Sequence, residues 1–249
     1  MPLAVVADAI QRKQGAAEPD GAGGDRVATP SGASEDAPYS PVMAVLHHAT
    51  ITPTKAEVIA GWVPSRPWGP PSADPISIVG SFRFDDPEGR VGLETHLVTA
   101  GDTLFQVPLT YRDGPLAGAE DALITTTEHS VLGTRWVYDG LGDPVFVLML
   151  AAFALTGQGE ALNMFQSDEG WVVAPSNVRI HGGGWTHGLV PIDGFEFESE
   201  SDSASVLHND RFELTVFRRP VAAERPGIGI TARLDRSDHE IVLAQIQER

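Results

Sequence analysis

Apolar and polar residues alternate over most of the chain, with the two-residue period of a β-strand. The alternation is clearest at residues 91–98, where Val91, Leu93 and Leu97 share one face. Turn sequences such as Asp-Pro-Glu-Gly at 86–89 separate the runs. Pro108 lacks an N–H, so we expect a sheet edge or a bulge there. The pattern predicts five antiparallel strands, at residues 76–86, 90–99, 103–112, 122–130 and 134–140.

Capping signals mark two helices. Thr54 and Glu57 have the spacing of a capping box, and Gly61 ends the first helix. The second helix begins after an N-cap at Asp143 and ends at Gly157. Its interior is apolar on every face, which predicts burial against a sheet or between layers.

Residues 166–249 predict a smaller, β-rich C-terminal unit. Short alternating runs lie at 170–183, 195–201, 204–219 and 228–235, with a turn at 208–210. The last run, at 238–248, fits a strand or a short helix, and the sequence leaves these two open. The predicted fold class is therefore α+β: an antiparallel sheet with a buried helix over residues 43–165, followed by the β-rich unit.

The first 41 residues have a different composition from the rest. Residues 1–41 are rich in Gly, Ala, Pro, Ser and acidic residues, which predicts a disordered tail because little apolar surface can be buried. The predicted strand at 43–50 begins at Met43. Translation from Met1 and translation from Met43 both remain open.

Composition excludes several functional classes. The chain has 17 Lys plus Arg against 34 Asp plus Glu, a net charge of −17, which argues against nucleic acid and anionic membranes as partners. The absence of cysteine excludes disulfides, thiolate catalysis and Cys-ligated metals. The longest apolar run, Val145–Leu155, is shorter than the roughly 20 residues that span a membrane. Without a signal peptide pattern, we expect a cytoplasmic protein.

The most conspicuous polar string is His-Gly-Gly-Gly-Trp-Thr-His, His181–His187. Esterases use such a glycine string as an oxyanion loop, but the GxSxG nucleophile motif that must accompany it is absent. A metal pair of His181 and His187 lacks a third ligand at a defined spacing. A loop that needs glycine conformations is the favoured interpretation.

Other polar clusters also favour structural roles. Glu128, His129 and Ser130 are consecutive, and adjacent strand residues point to opposite faces, so they do not form a triad by themselves. Glu196, Glu198 and Glu200 have period two, which predicts one solvated strand face. We therefore predict no catalytic residue, no metal site and no cofactor.

Ligand binding is predicted at four residues. Exposed tryptophans next to polar groups bind the faces of ligands, although tryptophan is equally a core residue. The candidate binding residues are Trp68, His129, His181 and Trp185.

Several long motifs resemble one bacterial family. They include SFRFDDPEGRVGLETHLV, VPLTYRDGPLAGA and TTEHSVLGTRWVYDGLGDPVFV, and with the segment from Met43 they extend over about residues 43–165. The chain resembles the maltokinase N-terminal cap-like proteins, which often carry the label "1,4-alpha-glucan branching protein". The resemblance implies an antiparallel sheet with a helix. A branching enzyme needs a barrel of about 250 residues, so the label does not fit.

The C-terminal unit resembles part of a kinase N-lobe. In maltokinases, a strand similar to FELTVFRR carries a lysine that contacts ATP, and Thr215 stands at that position here. A hydroxyl does not supply the cation that pairs with phosphates. The sequence also lacks a kinase catalytic loop and metal motif. The resemblance thus implies a cap without a catalytic lobe.

These observations predict a non-catalytic, cap-like module of α-glucan, maltose or trehalose metabolism. Its partner would be a sugar-metabolic enzyme or a small carbohydrate. Two alternatives remain: an enzyme of unrecognised type that acts on a carbohydrate or sugar phosphate, and a pseudokinase-like nucleotide binder.

Overall fold

The structure, a computed structural model, consists mainly of antiparallel sheets. It describes residues 8–9, 45–46 and 50–249, apart from 71–73, 163, 168–169, 187, 223–226 and 236. The α-helices are α1 (Lys55–Trp62) and α2 (Pro144–Thr156). The strands are β1 (Asp8–Ala9), β2 (Val45–Leu46), β3 (Ile51–Thr52), β4 (Ile76–Phe84), β5 (Gly92–Ala100), β6 (Thr103–Arg112), β7 (Leu123–His129), β8 (Gly133–Asp139), β9 (Met164–Ser167), β10 (Gly170–Val173), β11 (Val178–Gly182), β12 (Glu196–Glu200), β13 (Ala204–His208), β14 (Phe212–Ala222), β15 (Gly229–Leu234) and β16 (Ile241–Glu248).

The strands form two large sheets and one small sheet within this described part. The N-terminal sheet has the order β3-β7-β8-β6-β5-β4, and the C-terminal sheet has the order β11-β15-β16-β14-β13-β12. The small sheet has the order β1-β2-β9-β10. The five strands predicted from alternation are confirmed as β4–β8. The open choice at the C-terminus is settled as the strand β16.

Pro108 marks a local edge of the N-terminal sheet. It pairs with Thr95 of β5, but the pairing of β6 with β8 begins only at Leu109. Proline has no backbone N–H, so Pro108 leaves no donor unpaired on the side where β8 is absent. Strand β6 also lies beside β14 of the C-terminal sheet, where the Arg219 guanidinium is 5.5 Å from the centre of the Phe105 ring. The predicted edge is therefore confirmed.

Helix α1 begins with the predicted capping box. The Thr54 hydroxyl accepts from the Glu57 N–H at 3.3 Å, and the Glu57 carboxylate accepts from the Thr54 N–H at 2.8 Å. Together these contacts satisfy backbone groups that the first turn leaves unpaired. The buried face of α1, with Val58 and Ile59, packs in one core with Phe105 of β6.

Helix α2 lies between the two large sheets. The Asp143 carboxylate accepts from the Val145 N–H at 3.1 Å, and Gly157 ends the helix with φ of 70°. One core cluster contains Phe84 of β4, Phe146 of α2 and Leu214 of β14. Burial of each large apolar side chain contributes about 1.5–3 kcal/mol. The predicted burial of this helix is confirmed, and both large sheets depend on it.

The remaining predictions have different outcomes. The antiparallel α+β content is confirmed, and Asn209 makes the predicted turn before β14, with its N–H donating to the Phe212 carbonyl at 2.9 Å. The boundary at residue 165 and the kinase N-lobe likeness stay predictions. The tail at 1–41, apart from Asp8–Ala9, and the start at Met43 lie outside the described residues. None of the described helices is long and apolar enough to cross a membrane.

Candidate functional site

A groove beside Trp185 runs along one end of the C-terminal sheet. Its volume is about 690 Å³, within the range typical of small-molecule sites. Leu155, Phe212 and Ile246 are buried and form an apolar floor. The lining also includes Trp185 and Ile228, both exposed, and the polar residues Thr186, Arg211, Gln245, Gln247 and Glu248.

Non-consecutive strands bring these residues together. The start of β14 lies against the end of β16, where Phe212 pairs with Glu248. The last turn of α2 supplies Leu155. The Ile246 N–H donates to the Ile228 carbonyl at 2.9 Å, which holds the segment before β15 at the groove.

The glycine string before Trp185 packs directly against the end of α2. A Cβ on Gly182 would lie 2.1 Å from the Phe153 carbonyl oxygen, and one on Gly184 would lie 2.6 Å from the Ala154 carbonyl oxygen. Such distances leave no room for a side chain. The string therefore lets two backbones meet, and it fixes the position from which Trp185 projects.

The N–H groups of this string already have partners. The Gly183 N–H donates to the Gly229 carbonyl at 2.8 Å, and the Gly184 N–H donates to the Ala154 carbonyl at 3.0 Å. An oxyanion loop requires N–H groups directed at the reacting oxygen. The geometry therefore favours the structural interpretation of the string. His187, the second histidine of the string, lies outside the described residues.

The charged groups of the groove pair with each other. Among the lining residues that the structure describes, Arg211 and Glu248 carry charge, and the Arg211 Nη2 donates to the Glu248 carboxylate at 2.9 Å. The Arg211 guanidinium also lies 5.3 Å from the centre of the Phe212 ring. These contacts leave the described lining without net charge, on a chain whose net charge is −17.

The four predicted binding residues lie in different places. Trp185 is 82% exposed and lines the groove. His181 is exposed on β11, opposite Thr231. His129 and Trp68 are buried in other parts of the chain, and neither lines the groove. The structure therefore brings none of the other three to Trp185, and ligand binding at each remains a prediction.

His129 closes the turn between β7 and β8. Its Nδ1 accepts from the Val131 N–H at 3.2 Å and from the Leu132 N–H at 3.1 Å. The neighbouring Glu128 accepts from the Thr134 hydroxyl at 2.8 Å, and the Ser130 hydroxyl accepts from the Thr50 N–H at 3.0 Å. These three consecutive side chains thus face separate partners, as expected for a structural strand end.

Trp68 joins the two large sheets. Its indole N–H donates to the Glu200 carboxylate at 2.9 Å, and the Arg218 guanidinium lies 4.9 Å from the centre of its ring. The Arg219 Nε donates to the Trp68 carbonyl at 3.0 Å. Arg218 is fully buried and also pairs with Asp139 at the end of β8. The tryptophan is therefore covered by protein on the side of the C-terminal sheet.

Glu200 differs from the predicted solvated face. A β-bulge between Phe197 and Ser199 shifts the register of β12, so Glu200 pairs with Ser205 and turns inward. Burial by itself raises the pKa of Glu200. The charges of Arg218 and Arg66, with the hydrogen bonds from Arg66 and Trp68, have the larger effect, so the pKa of Glu200 lies below its usual value. Glu196 and Glu198 are exposed as predicted. The prediction for Glu200 is wrong because a bulge interrupts the two-residue period.

A second buried ionic cluster lies beneath α1. Lys55 pairs with the Glu94 carboxylate, and the His96 Nε2 lies 3.4 Å from the same carboxylate. Burial raises the pKa of Glu94, but the charges of Lys55, His96 and Arg83 outweigh it and hold this pKa well below its usual value. The sequence signal for this cluster was the alternation of β5, which places Glu94 and His96 on one face.

Neither ionic cluster forms a metal centre. In the part of the chain that the structure describes, no group of three or more His, Asp or Glu side chains is arranged to hold a metal ion. The clusters around Glu94 and Glu200 instead combine each carboxylate with cationic partners, which stabilise its buried negative charge.

Residues 62–143 match the family model of the maltokinase N-terminal cap domain. The matched segment begins at the last residue of α1, ends at the N-cap of α2 and includes β4–β8. The resemblance inferred from the sequence motifs is confirmed over this segment. No curated protein matches the chain.

Proposed function

We propose that this chain, with its match to the maltokinase N-terminal cap domain, is a non-catalytic module of maltose, α-glucan or trehalose metabolism. It acts by binding a small carbohydrate, and a sugar-metabolic enzyme is the alternative partner. The observation that carries the proposal is the groove in which an exposed indole, Trp185, stands at an apolar floor that also borders the paired Arg211 and Glu248. Sites for small molecules combine apolar surface with a few polar groups in this way.

The distribution of titratable groups supports a binding role over the enzyme alternative. A general acid or base must reach the reacting atom, and catalytic side chains converge on one site. Here Glu128 and His129 lie at the end of β7, while His181 lies on the C-terminal sheet. His129 and Glu128 already hold structural hydrogen bonds. Their separation makes a shared catalytic site an unfavourable explanation.

The nucleotide alternative has less support than the carbohydrate. Thr215 lies within β14, where it pairs with Val206 of β13 and Gln245 of β16. Its hydroxyl does not replace the cation that neutralises nucleotide phosphates. We therefore consider a neutral sugar a better-supported ligand than a nucleotide.

A thermal-shift screen of the full chain tests this proposal. The ligands are maltose, trehalose, glycogen fragments, sugar phosphates and ATP, and product formation is followed in parallel. A neutral saccharide at 100 times its Kd would add about 2.7 kcal/mol of stability, which raises Tm by several degrees. Turnover of a sugar or nucleotide that one point substitution abolishes would contradict the proposal. So would stabilisation by ATP with none by any saccharide.

A further inference from the structure

We propose that Arg179 and Arg233 form a phosphate-binding site on the outer face of the C-terminal sheet. The two residues lie directly opposite each other on β11 and β15. Neither arginine lines the groove beside Trp185, so the site is separate from that groove. The inference therefore goes beyond the proposed carbohydrate ligand and assigns a second ligand class, a phosphate group.

The register of the sheet directs both guanidinium groups to solvent. Paired residues on antiparallel strands have their side chains on the same face, with Cβ atoms about 4.5–5.5 Å apart. The next residues towards the centre of the pairing, Ile180 and Ala232, belong to the core that contains α2. Because successive strand residues point to opposite faces, Arg179 and Arg233 point away from this core, and both are exposed.

The two arginines lack a hydrogen-bonded acid within the part of the chain that the structure describes. Ion pairs with Asp or Glu hold other arginines there, namely Arg66, Arg90, Arg112, Arg211 and Arg218. The chain has 34 Asp plus Glu against 17 Lys plus Arg, so two facing arginines without such a partner are unexpected. Their guanidinium N–H groups are available to an anion.

Holding these two charges side by side costs stability. Like charges directly opposite each other on neighbouring strands are destabilising. Proteins break such local rules chiefly at functional sites. A bound dianion would remove the repulsion here, because its charge balances both guanidinium groups.

The chemistry of the pair favours phosphate over a carboxylate. A phosphate monoester carries a charge of about −1.5 to −2 at pH 7 and has three acceptor oxygens. Each guanidinium can donate two parallel hydrogen bonds, so two of them can share one phosphate. A carboxylate has a single charge and two oxygens, which pair with one arginine. His181 and Thr231, the next opposed pair on this face, add a ring nitrogen and a hydroxyl.

Carboxylates in the surroundings keep the affinity modest. Burial raises the pKa of the Glu160 carboxyl, and the charge of Arg179 partly offsets this, so the two groups interact. Asp235 follows Arg233 by two residues, and the whole chain has a net charge of −17. We therefore expect a reversible site whose affinity for phosphate falls as the salt concentration rises.

The test is a titration of the 249-residue chain with inorganic phosphate, followed by NMR of the arginine Nε–H groups at constant ionic strength. The signals lost in Arg179→Gln and in Arg233→Gln identify the two side chains. We expect both wild-type signals to shift with one common Kd. Each substitution should weaken binding about tenfold or more, as measured at the remaining arginine.

Arg90→Gln is the matched control, because it removes the same charge from an exposed arginine that pairs with Glu88. It should leave the Kd for phosphate unchanged. Melting temperatures without phosphate check the fold of each variant. Arg233→Gln should melt at the wild-type temperature or above it, because one of two facing charges is gone. A clearly lower melting temperature would contradict the repulsion.

Methyl phosphate and acetate are titrated alongside inorganic phosphate. Binding of methyl phosphate with a similar Kd assigns the site to a phosphorylated small molecule, and binding of inorganic phosphate alone assigns it to the free anion. Acetate that binds as tightly as phosphate overturns the ligand class.

Two further results would overturn the site itself. One is the absence of a saturable shift at either arginine of the wild type. The other is an equal loss of affinity in Arg90→Gln, which would show that only the overall charge matters. Neither result bears on saccharide binding, which is measured separately, so failure of this site is distinguishable from failure of the proposed function.

Discussion

The indole N–H of Trp68 donates to the Glu200 carboxylate at 2.9 Å and so joins residues 132 positions apart in the chain. Trp68 lies within the segment that matches the cap domain, and Glu200 lies at the end of β12. The cap segment and the C-terminal sheet are thereby held together by a hydrogen bond as well as by the shared core.

Trp68 and Glu200 should be energetically coupled. We expect Trp68→Phe and Glu200→Gln each to destabilise the protein, and the double variant to lose less than their sum by about 0.5–3 kcal/mol. The cause is that each single change removes the same charge-assisted hydrogen bond. Urea denaturation of the four proteins measures this difference. Glu196→Gln is the control partner, because an exposed and distant carboxylate should combine with Trp68→Phe additively.

Arg218 should contribute more to stability than an exposed arginine does. Its guanidinium is fully buried and pairs with Asp139, and its Nη2 lies 3.6 Å from the Glu200 carboxylate. Arg218→Met would remove the buried cation of Asp139 and leave Glu200 with Arg66, at a cost of about 3–5 kcal/mol. Arg90→Met, which breaks the exposed pair with Glu88, should cost under about 1 kcal/mol. Equal losses of unfolding free energy in Arg218→Met and Arg90→Met would show that burial does not strengthen the contribution of Arg218.

The cluster at Glu94 should make stability depend on acid pH. The folded-state pKa of Glu94 is held below its unfolded value, so the unfolded state binds more protons as pH falls from about 4.5. Its contribution to stability is therefore fully present above that pH and is lost as pH falls through the folded-state pKa. We expect Lys55→Met to move this loss to higher pH, because it removes the cation beside the carboxylate.

Chemical denaturation at a series of pH values between about 2 and 6 measures the effect. Glu94→Gln removes the titrating group, so its stability should vary less steeply with pH than that of the wild type. Identical pH profiles for the wild type, Lys55→Met and Glu94→Gln would rule out the proposed origin.

Two glycines near the groove should respond differently to alanine. In Gly184→Ala the new Cβ would lie 2.6 Å from α2 backbone atoms, whereas nothing lies within 4 Å of the corresponding position on Gly188. We expect Gly184→Ala to cost about 1–3 kcal/mol and Gly188→Ala to change stability by less than about 0.5 kcal/mol. Thermal unfolding compares them. A Gly184→Ala protein as stable as the wild type would show that the contact with α2 is not needed.

Local patterns were sufficient for five strands of the N-terminal sheet, whereas the two-residue strand β3 was not predicted. The two-residue period predicted β4–β8, and the spacing of Thr54 and Glu57 predicted the start of α1. Such signals depend on neighbours in sequence, which is why they could be recognised without a structure. The same period misplaced Glu200, because a bulge in β12 depends on the partner strand.

The groove and the inter-sheet contacts required the tertiary structure. Trp185 was a candidate from sequence, but Arg211 and Glu248 line the groove with it only because β14 pairs with β16. Arg218 continues the inward face of Leu214 and Val216, a pattern that marks a buried position. The sequence does not reveal that Asp139 and Glu200 compensate its charge, since those acids lie far away along the chain.

One NMR experiment on ¹³C-labelled maltotriose, mixed with ATP and the pure 249-residue chain, tests carbohydrate binding and turnover together. We predict that the sugar resonances broaden in proportion to protein concentration and that no new resonance appears over hours. Unchanged line widths would contradict carbohydrate binding, and new resonances from a product, lost on a single point substitution, would contradict a non-catalytic role.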